Sequence, residues 1–191
     1  SDYDKKDSEL IYYSSVEEAI LNSPLNTENE EFSVPEDFLN HVDEILHIWN
    51  GKQYDTIFYR AGSDNDPVQG FVMARCKKQV EEATVQYAFM NATPVTTKAD
   101  SILISDITEL IHSSLKLSDF QQDLNPNYPD TRFVFGYAHD KEIYSLEVEG
   151  QKPDGVIEIN VYDRTMYLWY YDDLKSDKRG NNLSYSVDMP E

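Results

Sequence analysis

Histidine and cysteine are the residue types in this chain that most readily bind metals or act as nucleophiles. The four histidines, His41, His47, His112 and His139, show none of the HExxH or CxxC-type spacings that hold zinc. The single cysteine, Cys76, excludes an internal disulfide and has no histidine in a recognisable nucleophile arrangement. These patterns favour structural histidines and a buried structural thiol. They predict no metal site and no cofactor.

Carboxylates are abundant, with 36 Asp and Glu against 16 Lys and Arg and a net charge of −20. Residues 1–44 alone hold 13 acids against two lysines, a net −11. A field of this sign repels phosphate, which argues against nucleic acid as a partner. With so many acids, some pair must lie at the separation used in glycoside hydrolysis, so their number alone identifies no catalytic pair.

Two loops rich in aspartate have the oxygen ligands that calcium prefers. The first is Ser63-Asp64-Asn65-Asp66, but it is followed by proline and lacks the distal Glu of an EF-hand. The second combines Asp172-Asp173 with Asp177 and Asn181. Asp and Asn also bind nearby backbone amides in ordinary turns, and that interpretation is favoured for both loops.

Aromatic side chains are the remaining candidates for a site. On the predicted strand 165–171, Tyr167, Trp169 and Tyr171 share one face. Trp49 and Tyr59 lie on an earlier predicted hairpin. An aromatic face is usually core, and the alternative is a platform on which a sugar, peptide or partner protein stacks. Under that alternative these five residues bind the ligand, and the Trp169 face meets water if the opposite face is buried.

The elements that must position these residues are mostly strands. In the first half, a capping box at Ser15–Glu18 predicts a helix Val16–Asn22, and another at Ser33–Glu36 predicts a short helix near 35–41. Strands predicted at 44–49, 55–60, 68–78 and 82–90 form a four-stranded antiparallel meander. Asn50-Gly51 predicts a type I′ turn between the first two strands, because that turn needs two positive φ angles.

The second half begins with an amphipathic helix capped by Ser101 or Ser105. Its apolar face comprises Ile104, Ile107, Leu110, Ile111 and Leu115. Strands follow at 132–138, 143–148, 156–162 and 165–171, with a turn at Asp163-Arg164 and an edge strand at 183–187. The predicted fold class is α+β, with antiparallel β meanders and a few short helices packed on the sheet.

Residues 1–14 are predicted to be a flexible acidic tether, and 15–191 a single α+β domain. The alternative is two similar lobes, 15–100 and 101–191. That alternative is suggested by a weak duplication, in which DEILHIW and TIFYR of the first half resemble KEIYSLE and TMYLW of the second.

The segments SSVEEAI and DEILHIWNGKQYDTIFYR, with the later FGYAHDKEIYSLEVEGQ and INVYDRTMYLWYYDDL, resemble uncharacterised exported proteins of Gram-positive bacteria, many of them lipoproteins. The similarity covers about residues 15–60 and 133–174. It implies an extracytoplasmic domain held to the membrane only by a lipidated N-terminal cysteine, which this chain, beginning at Ser1, does not contain. The resemblance implies no reaction and no binding residues.

The expected function is therefore a non-enzymatic extracytoplasmic interaction domain, membrane-anchored or secreted, whose partner is a protein or a component of the cell envelope. One alternative is a carboxylate-based hydrolase. The other is an acidic inhibitor or immunity-type protein that binds a basic partner, because an acidic surface steers such a partner towards it.

Overall fold

The structure is a computed structural model that describes residues 9–25, 37–62, 69–94 and 106–189. The chain divides into two compact units, Ser1–Asp100 and Ser101–Glu191. In each unit the described residues form antiparallel sheets with short helices. The α+β prediction is confirmed.

The first unit is a four-stranded antiparallel sheet whose spatial order, β1-β2-β3-β4, follows the chain. The predicted meander is therefore confirmed. Its strands are β1 Glu44–Asn50, β2 Tyr54–Ala61, β3 Gly70–Glu81 and β4 Thr84–Pro94. They are preceded by helix α1, Val16–Leu21, and by a 3₁₀ helix at Phe38–Asn40. The second predicted capping box, at residues 33–36, lies outside the described residues.

Helix α1 begins where its capping pattern predicts. The Ser15 hydroxyl accepts a hydrogen bond from the Glu18 amide at 3.1 Å. The second hydrogen bond of the capping box differs from the prediction. The Glu18 carboxylate accepts from the amide and hydroxyl of Ser14, at 3.3 and 2.9 Å, instead of from the Ser15 amide. The apolar face of α1 is buried against the sheet through Val16, Ala19 and Ile20.

The chain before α1 is bound to the sheet. Tyr13 and Tyr87 exchange two backbone hydrogen bonds of 2.8 Å, which form an antiparallel bridge on the outer side of β4. The tether predicted for residues 1–14 therefore does not extend as far as Tyr13. Residues 1–8 lie outside the described part of the chain.

The connection between β1 and β2 differs from the predicted type I′ turn. Asn50 pairs with Asp55, so four residues, 51–54, lie between the paired positions, and neither Asn50 nor Gly51 has a positive φ. The Asp55 carboxylate accepts from the Gly51 amide at 3.2 Å and forms an ion pair with Lys78 at 2.8 Å. The loop is thus held by a side-chain carboxylate, whereas the sequence predicted a backbone turn formed by Asn50 and Gly51.

The second unit contains a three-stranded antiparallel sheet of order β5-β8-β7 and a two-stranded sheet of β6 and β9. The strands are β5 Val134–Ala138, β6 Glu147–Val148, β7 Gly155–Val161, β8 Arg164–Tyr171 and β9 Tyr185–Ser186. The helices are α2 Ile107–Lys116, α3 Ser118–Asp123, and 3₁₀ helices at Lys141–Ser145 and Gly180–Asn182.

Helix α2 is capped by Asp106, whose carboxylate accepts from the Glu109 amide at 2.8 Å. The predicted caps Ser101 and Ser105, and Ile104 of the predicted apolar face, lie outside the described residues. The rest of that face is buried at Ile107, Ile111 and Leu115 and half-buried at Leu110. Helix α3 falls in a region that the sequence did not assign to a helix.

The strand predicted at 143–148 is wrong over most of its length. Residues Lys141–Ser145 form a 3₁₀ helix, and only Glu147–Val148 are extended. Ile143 and Leu146 lie three residues apart and are both fully buried, with the Leu146 amide donating to the Ile143 carbonyl at 3.0 Å. Burial of this pair on one side of a helical turn outweighed the β propensity of the segment.

A turn with two positive φ angles does occur, but in the other unit. Tyr162 and Asp163, with φ of 49° and 61°, connect β7 to β8, and Val161 pairs with Arg164. The sequence had placed this turn one residue later, at Asp163-Arg164. The backbone has the signs that a type I′ hairpin requires, although neither residue is glycine.

Candidate functional site: an acidic aromatic pocket on the second unit

Two members of the predicted aromatic platform are core residues. Trp169 is 0% exposed and Tyr171 is 2% exposed, and both pack in the cluster that includes helix α2. The opposite face of β8 is also buried, with Leu168 at 0% and Met166 at 4% exposure. Both faces of β8 are therefore covered at these four residues, and the strand is half-buried at Tyr167 and Tyr170. The prediction that one buried face implies one exposed face is wrong here.

The Tyr171 hydroxyl has a structural role. It donates to the Gln151 carbonyl at 2.7 Å and accepts from the Val148 amide at 3.0 Å. Burial raises the pKa of this phenol above its ordinary value, so it stays a neutral donor. Tyr171 therefore fastens the chain around β6 to the central strand and is not a ligand-stacking surface.

The platform residues of the first unit are also buried. Trp49 is 4% exposed and Tyr59 is 0% exposed. They lie on opposite faces of the sheet, since Trp49 pairs with Thr56 in the register and Tyr59 is three residues further along β2. The Tyr59 hydroxyl donates to the Leu39 carbonyl at 2.7 Å. The structure does not bring these two rings together as a binding surface.

Tyr167 is the member of the predicted set that borders a pocket. Its half-buried ring meets the ring of Tyr144 edge to face, with centroids 5.6 Å apart and planes at 76°. Tyr144 is 53% exposed. These two rings border a surface pocket of about 490 Å³, which we call the tyrosine pocket. It is lined by Lys141, Glu142, Tyr144, Ser145, Glu158, Tyr167 and Asp188.

Three elements position these side chains. The 3₁₀ helix Lys141–Ser145 buries Ile143 and turns Tyr144 outward. Glu158 on β7 and Tyr167 on β8 are directly paired, so their side chains share one face of the sheet. The Tyr144 hydroxyl donates to the Glu158 carboxylate at 2.9 Å, which links the helix to that face.

The C-terminal segment completes the wall. The Asp188 amide donates to the Ser145 hydroxyl at 2.8 Å, and that hydroxyl donates to the Glu142 carbonyl at 2.6 Å. Ser145 therefore holds Asp188 beside the 3₁₀ helix. Three carboxylates line the pocket, on Glu142, Glu158 and Asp188, against one lysine.

The charge and the rings make this pocket suited to a cation. The hydrogen bond to the Glu158 carboxylate raises the pKa of the Tyr144 phenol, so the ring is neutral at physiological pH. A Lys or Arg head group above a neutral tyrosine ring gains about 0.5–2 kcal/mol, and a neighbouring carboxylate adds a charge-assisted hydrogen bond. The same carboxylates disfavour a phosphate or another anion.

The sequence had indicated Tyr167 but had missed Tyr144, Glu142, Glu158 and Asp188. Tyr144 was assigned to a strand, which hid its outward direction. The three-residue spacing of Ile143 and Leu146 in KEIYSL would have indicated a helical turn, with Tyr144 on its solvent side. Asp188 had no comparable indication, because it reaches the pocket only through a tertiary hydrogen bond.

Two other candidate sites offer fewer groups that could bind a ligand or take part in a reaction. A second pocket, of about 400 Å³, lies on the first unit, and its described lining includes Leu10, Ile11, Tyr13 and Phe89, with Glu9 as the one ionised side chain among the described lining residues. Cys76 is 0% exposed, and burial raises the pKa of its thiol to about 12, so it is not an activated nucleophile.

Among the described residues, no group of three His, Cys, Asp or Glu side chains could hold a metal ion. The first Asp-rich loop, Ser63–Asp66, lies outside those residues. None of the described helices is long and apolar enough to cross a membrane, and α2, the longest, has ten residues.

Comparison with known proteins gives no relative from which a function could be taken. No family model matches the chain. No curated protein and no solved structure gives a significant match. The resemblance to exported Gram-positive proteins therefore stays an expectation from the sequence.

Proposed function

We propose that this protein is a non-enzymatic, extracytoplasmic interaction domain that binds a basic partner protein through the tyrosine pocket. The observation that carries the proposal is the juxtaposition of Tyr144, Tyr167 and Glu158. An exposed ring, a second ring at 5.6 Å and a carboxylate in hydrogen-bond contact form a receptor for one Lys or Arg head group.

The overall charge supports the same partner. A net charge of −20 attracts a basic protein over several ångströms and raises its association rate at low ionic strength. The pocket then supplies a local contact that a diffuse acidic surface lacks. This joins the expected interaction domain with the inhibitor-type alternative, because a basic protein would be a suitable partner for both.

A carboxylate-based hydrolase is less well supported by the pKa pattern. A general acid needs a raised pKa. Two carboxyl groups among the described residues have a clearly shifted pKa, Asp106 and Glu149, and both are lowered, first by hydrogen bonds from Glu109 and Ser184. Neither lines the tyrosine pocket.

Titration with a single cation tests the proposal directly. Acetyl-arginine-amide is added to the protein while the ring protons of Tyr144 and Tyr167 are followed by NMR. Acetyl-citrulline-amide, which has the same shape without the charge, is the matched control. We expect saturable shifts with the arginine compound and none with citrulline, and weaker binding in Tyr144→Ala and Glu158→Gln.

Glu81→Gln removes the same charge from an exposed position on the first unit and should leave the titration unchanged. Equal shifts with arginine and citrulline, or equal losses in Glu158→Gln and Glu81→Gln, would contradict the pocket proposal.

The extracytoplasmic location rests on the sequence resemblance alone. Fractionation of the producing cells, followed by detection of the protein with an antibody, tests it. Recovery with the envelope or the medium is the expected result, and recovery with the cytosol would overturn that part of the proposal.

A further inference from the structure

The two larger sheets have four edge strands among the described residues, and two of these belong to the first unit. Exposed edges invite pairing with another chain, and proteins commonly block them. A bulge between Ile45 and His47 interrupts β1. The bridge between Tyr13 and Tyr87 occupies part of β4. Both edges of this sheet therefore carry a feature that hinders further pairing.

In the second unit the β5 edge is closed by glutamine side chains. Gln121 donates to the Phe135 carbonyl at 2.8 Å, and Gln122 donates to the Phe133 carbonyl at 2.9 Å. Both glutamines are 5% exposed. These glutamine side chains of α3 thus occupy backbone carbonyls to which an added strand would have to hydrogen-bond.

The opposite edge, β7, has no such feature in the described part of the chain. Its seven residues, GVIEINV, contain no lysine, arginine or proline, and its register with β8 is free of bulges. No described strand pairs with its other side. Val156 and Ile157 are half-buried, so the edge has apolar side chains as well as backbone groups to offer a partner. A regular, unblocked edge of this kind accepts an extended peptide by strand addition.

We propose that β7 is the docking edge for an extended, basic segment of the partner protein, which adds to the sheet as a fourth strand and places a Lys or Arg side chain in the tyrosine pocket. The inference rests on the proposed function, since it assigns the partner's conformation at the same site.

Glu158 connects the edge with the pocket. It belongs to β7, and Tyr167 is its partner on β8. A residue of the added strand opposite Glu158 would project on the same face, with the two Cβ atoms about 5 Å apart. The cation, Glu158 and Tyr167 then form one row across three strands, with Tyr144 above it.

The register also predicts the partner's pattern. Strand side chains alternate between faces, so the residues on either side of the cation lie beside Ile157 and Ile159 on the other face. Apolar residues fit there. The recognised segment therefore has a basic residue opposite Glu158 and an apolar residue on either side of it.

A labelled peptide of seven residues, the length of β7, tests the mode of binding. It alternates arginine and valine, has blocked ends and is followed by fluorescence anisotropy. Two derivatives carry backbone N-methyl groups, one on the arginines and one on the valines. An added strand uses the amides of only one set, so one derivative should bind roughly tenfold more weakly or worse while the other is nearly unaffected.

The protein variants separate the two proposals. We expect Glu158→Gln to weaken the parent peptide and Glu81→Gln to leave it unchanged, and we expect slower hydrogen exchange of β7 amides when peptide is bound. If both N-methyl derivatives bind like the parent while Glu158→Gln still weakens binding, strand addition is overturned and the pocket proposal stands. If Glu158→Gln and Tyr144→Ala change nothing, both are overturned.

Discussion

Gly136 on β5 lies directly opposite Trp169 on β8, and a methyl group at Gly136 would lie 2.4 Å from Cζ2 of the indole. The Ser114 hydroxyl of α2 would be equally close. Because Gly136 has no side chain, the buried Trp169 ring fits between the sheet and helix α2.

Gly136→Ala should destabilise the protein, because neither a buried indole nor the helix can withdraw without loss of packing. Overpacking of this kind costs about 1–3 kcal/mol in the free energy of unfolding. Urea unfolding followed by circular dichroism measures it. In the double variant Gly136→Ala with Trp169→Phe, the smaller ring relieves the clash with the indole and leaves the one with Ser114, so the two effects should be less than additive. Additive losses would contradict the steric explanation.

Glu149 makes stability depend on pH in acid. Its carboxylate accepts from the Ser184 hydroxyl, from the Ser176 hydroxyl at 2.7 Å and from the Ser184 amide at 3.0 Å. These bonds lower its pKa from 4.5 to about 2. Because the folded-state pKa is depressed, the stabilisation is complete above pH 4.5 and disappears as pH falls towards 2.

Glu149→Gln should remove this pH dependence and lower the free energy of unfolding at pH 7 by about 1–2 kcal/mol, allowing for solvent screening. Urea midpoints measured at intervals between neutral and acid pH test it. Ser184→Ala should reduce the pH dependence without abolishing it. A variant whose midpoint falls with pH as steeply as the wild type would show that other groups dominate.

Tyr171→Phe distinguishes a structural tyrosine from a binding one. The variant loses the hydroxyl that bridges Val148 and Gln151, so we expect the free energy of unfolding to fall by about 1–2 kcal/mol. Binding of acetyl-arginine-amide by the folded protein should not change. Tyr144→Ala, which removes an exposed ring, should behave in the opposite way, with little loss of stability and weaker cation binding. The reverse pattern would restore Tyr171 as a ligand residue.

Cys76 should react slowly with thiol reagents in the folded protein. The side chain is fully buried, and burial, followed by the charges of Asp55 and Glu17, raises its pKa to about 12. At pH 8 the thiol is therefore protonated as well as inaccessible, whereas in urea it recovers an ordinary cysteine pKa and exposure. Disulfide-exchange rates with an aromatic disulfide, with and without urea, measure the difference. Equal rates in both conditions would contradict the burial.

Local sequence patterns predicted well the elements whose determinants are close together along the chain. The Ser15 cap and the apolar spacing of α1 involve residues within one or two turns, and the meander follows from alternating strands joined by short connections. Helix α2 was predicted for the same reason, although its cap among the described residues is Asp106.

Features that depend on distant residues could not be predicted in this way. Asn50-Gly51 has the composition of a type I′ turn, but the loop is held by the carboxylate of Asp55. Tyr162-Asp163 has the required φ signs without glycine, because the pairing of β7 and β8 imposes them. The aromatic strand was ambiguous because burial of a face depends on what packs against it, and the helix α2 that packs against Trp169 and Tyr171 is distant in the sequence. The pocket combines a helical turn, two strands and a C-terminal segment, and only Tyr167 could be predicted.

The glutamine side chains that close β5 have a consequence for how this sheet can grow. A sheet with two open edges can pass strands on from copy to copy and extend into a filament. With the β5 edge closed, a copy that pairs through β7 has no second edge of this sheet to offer, so two copies would form a closed dimer. Gln121 and Gln122 thus prevent copies of this chain from forming a filament through the three-stranded sheet.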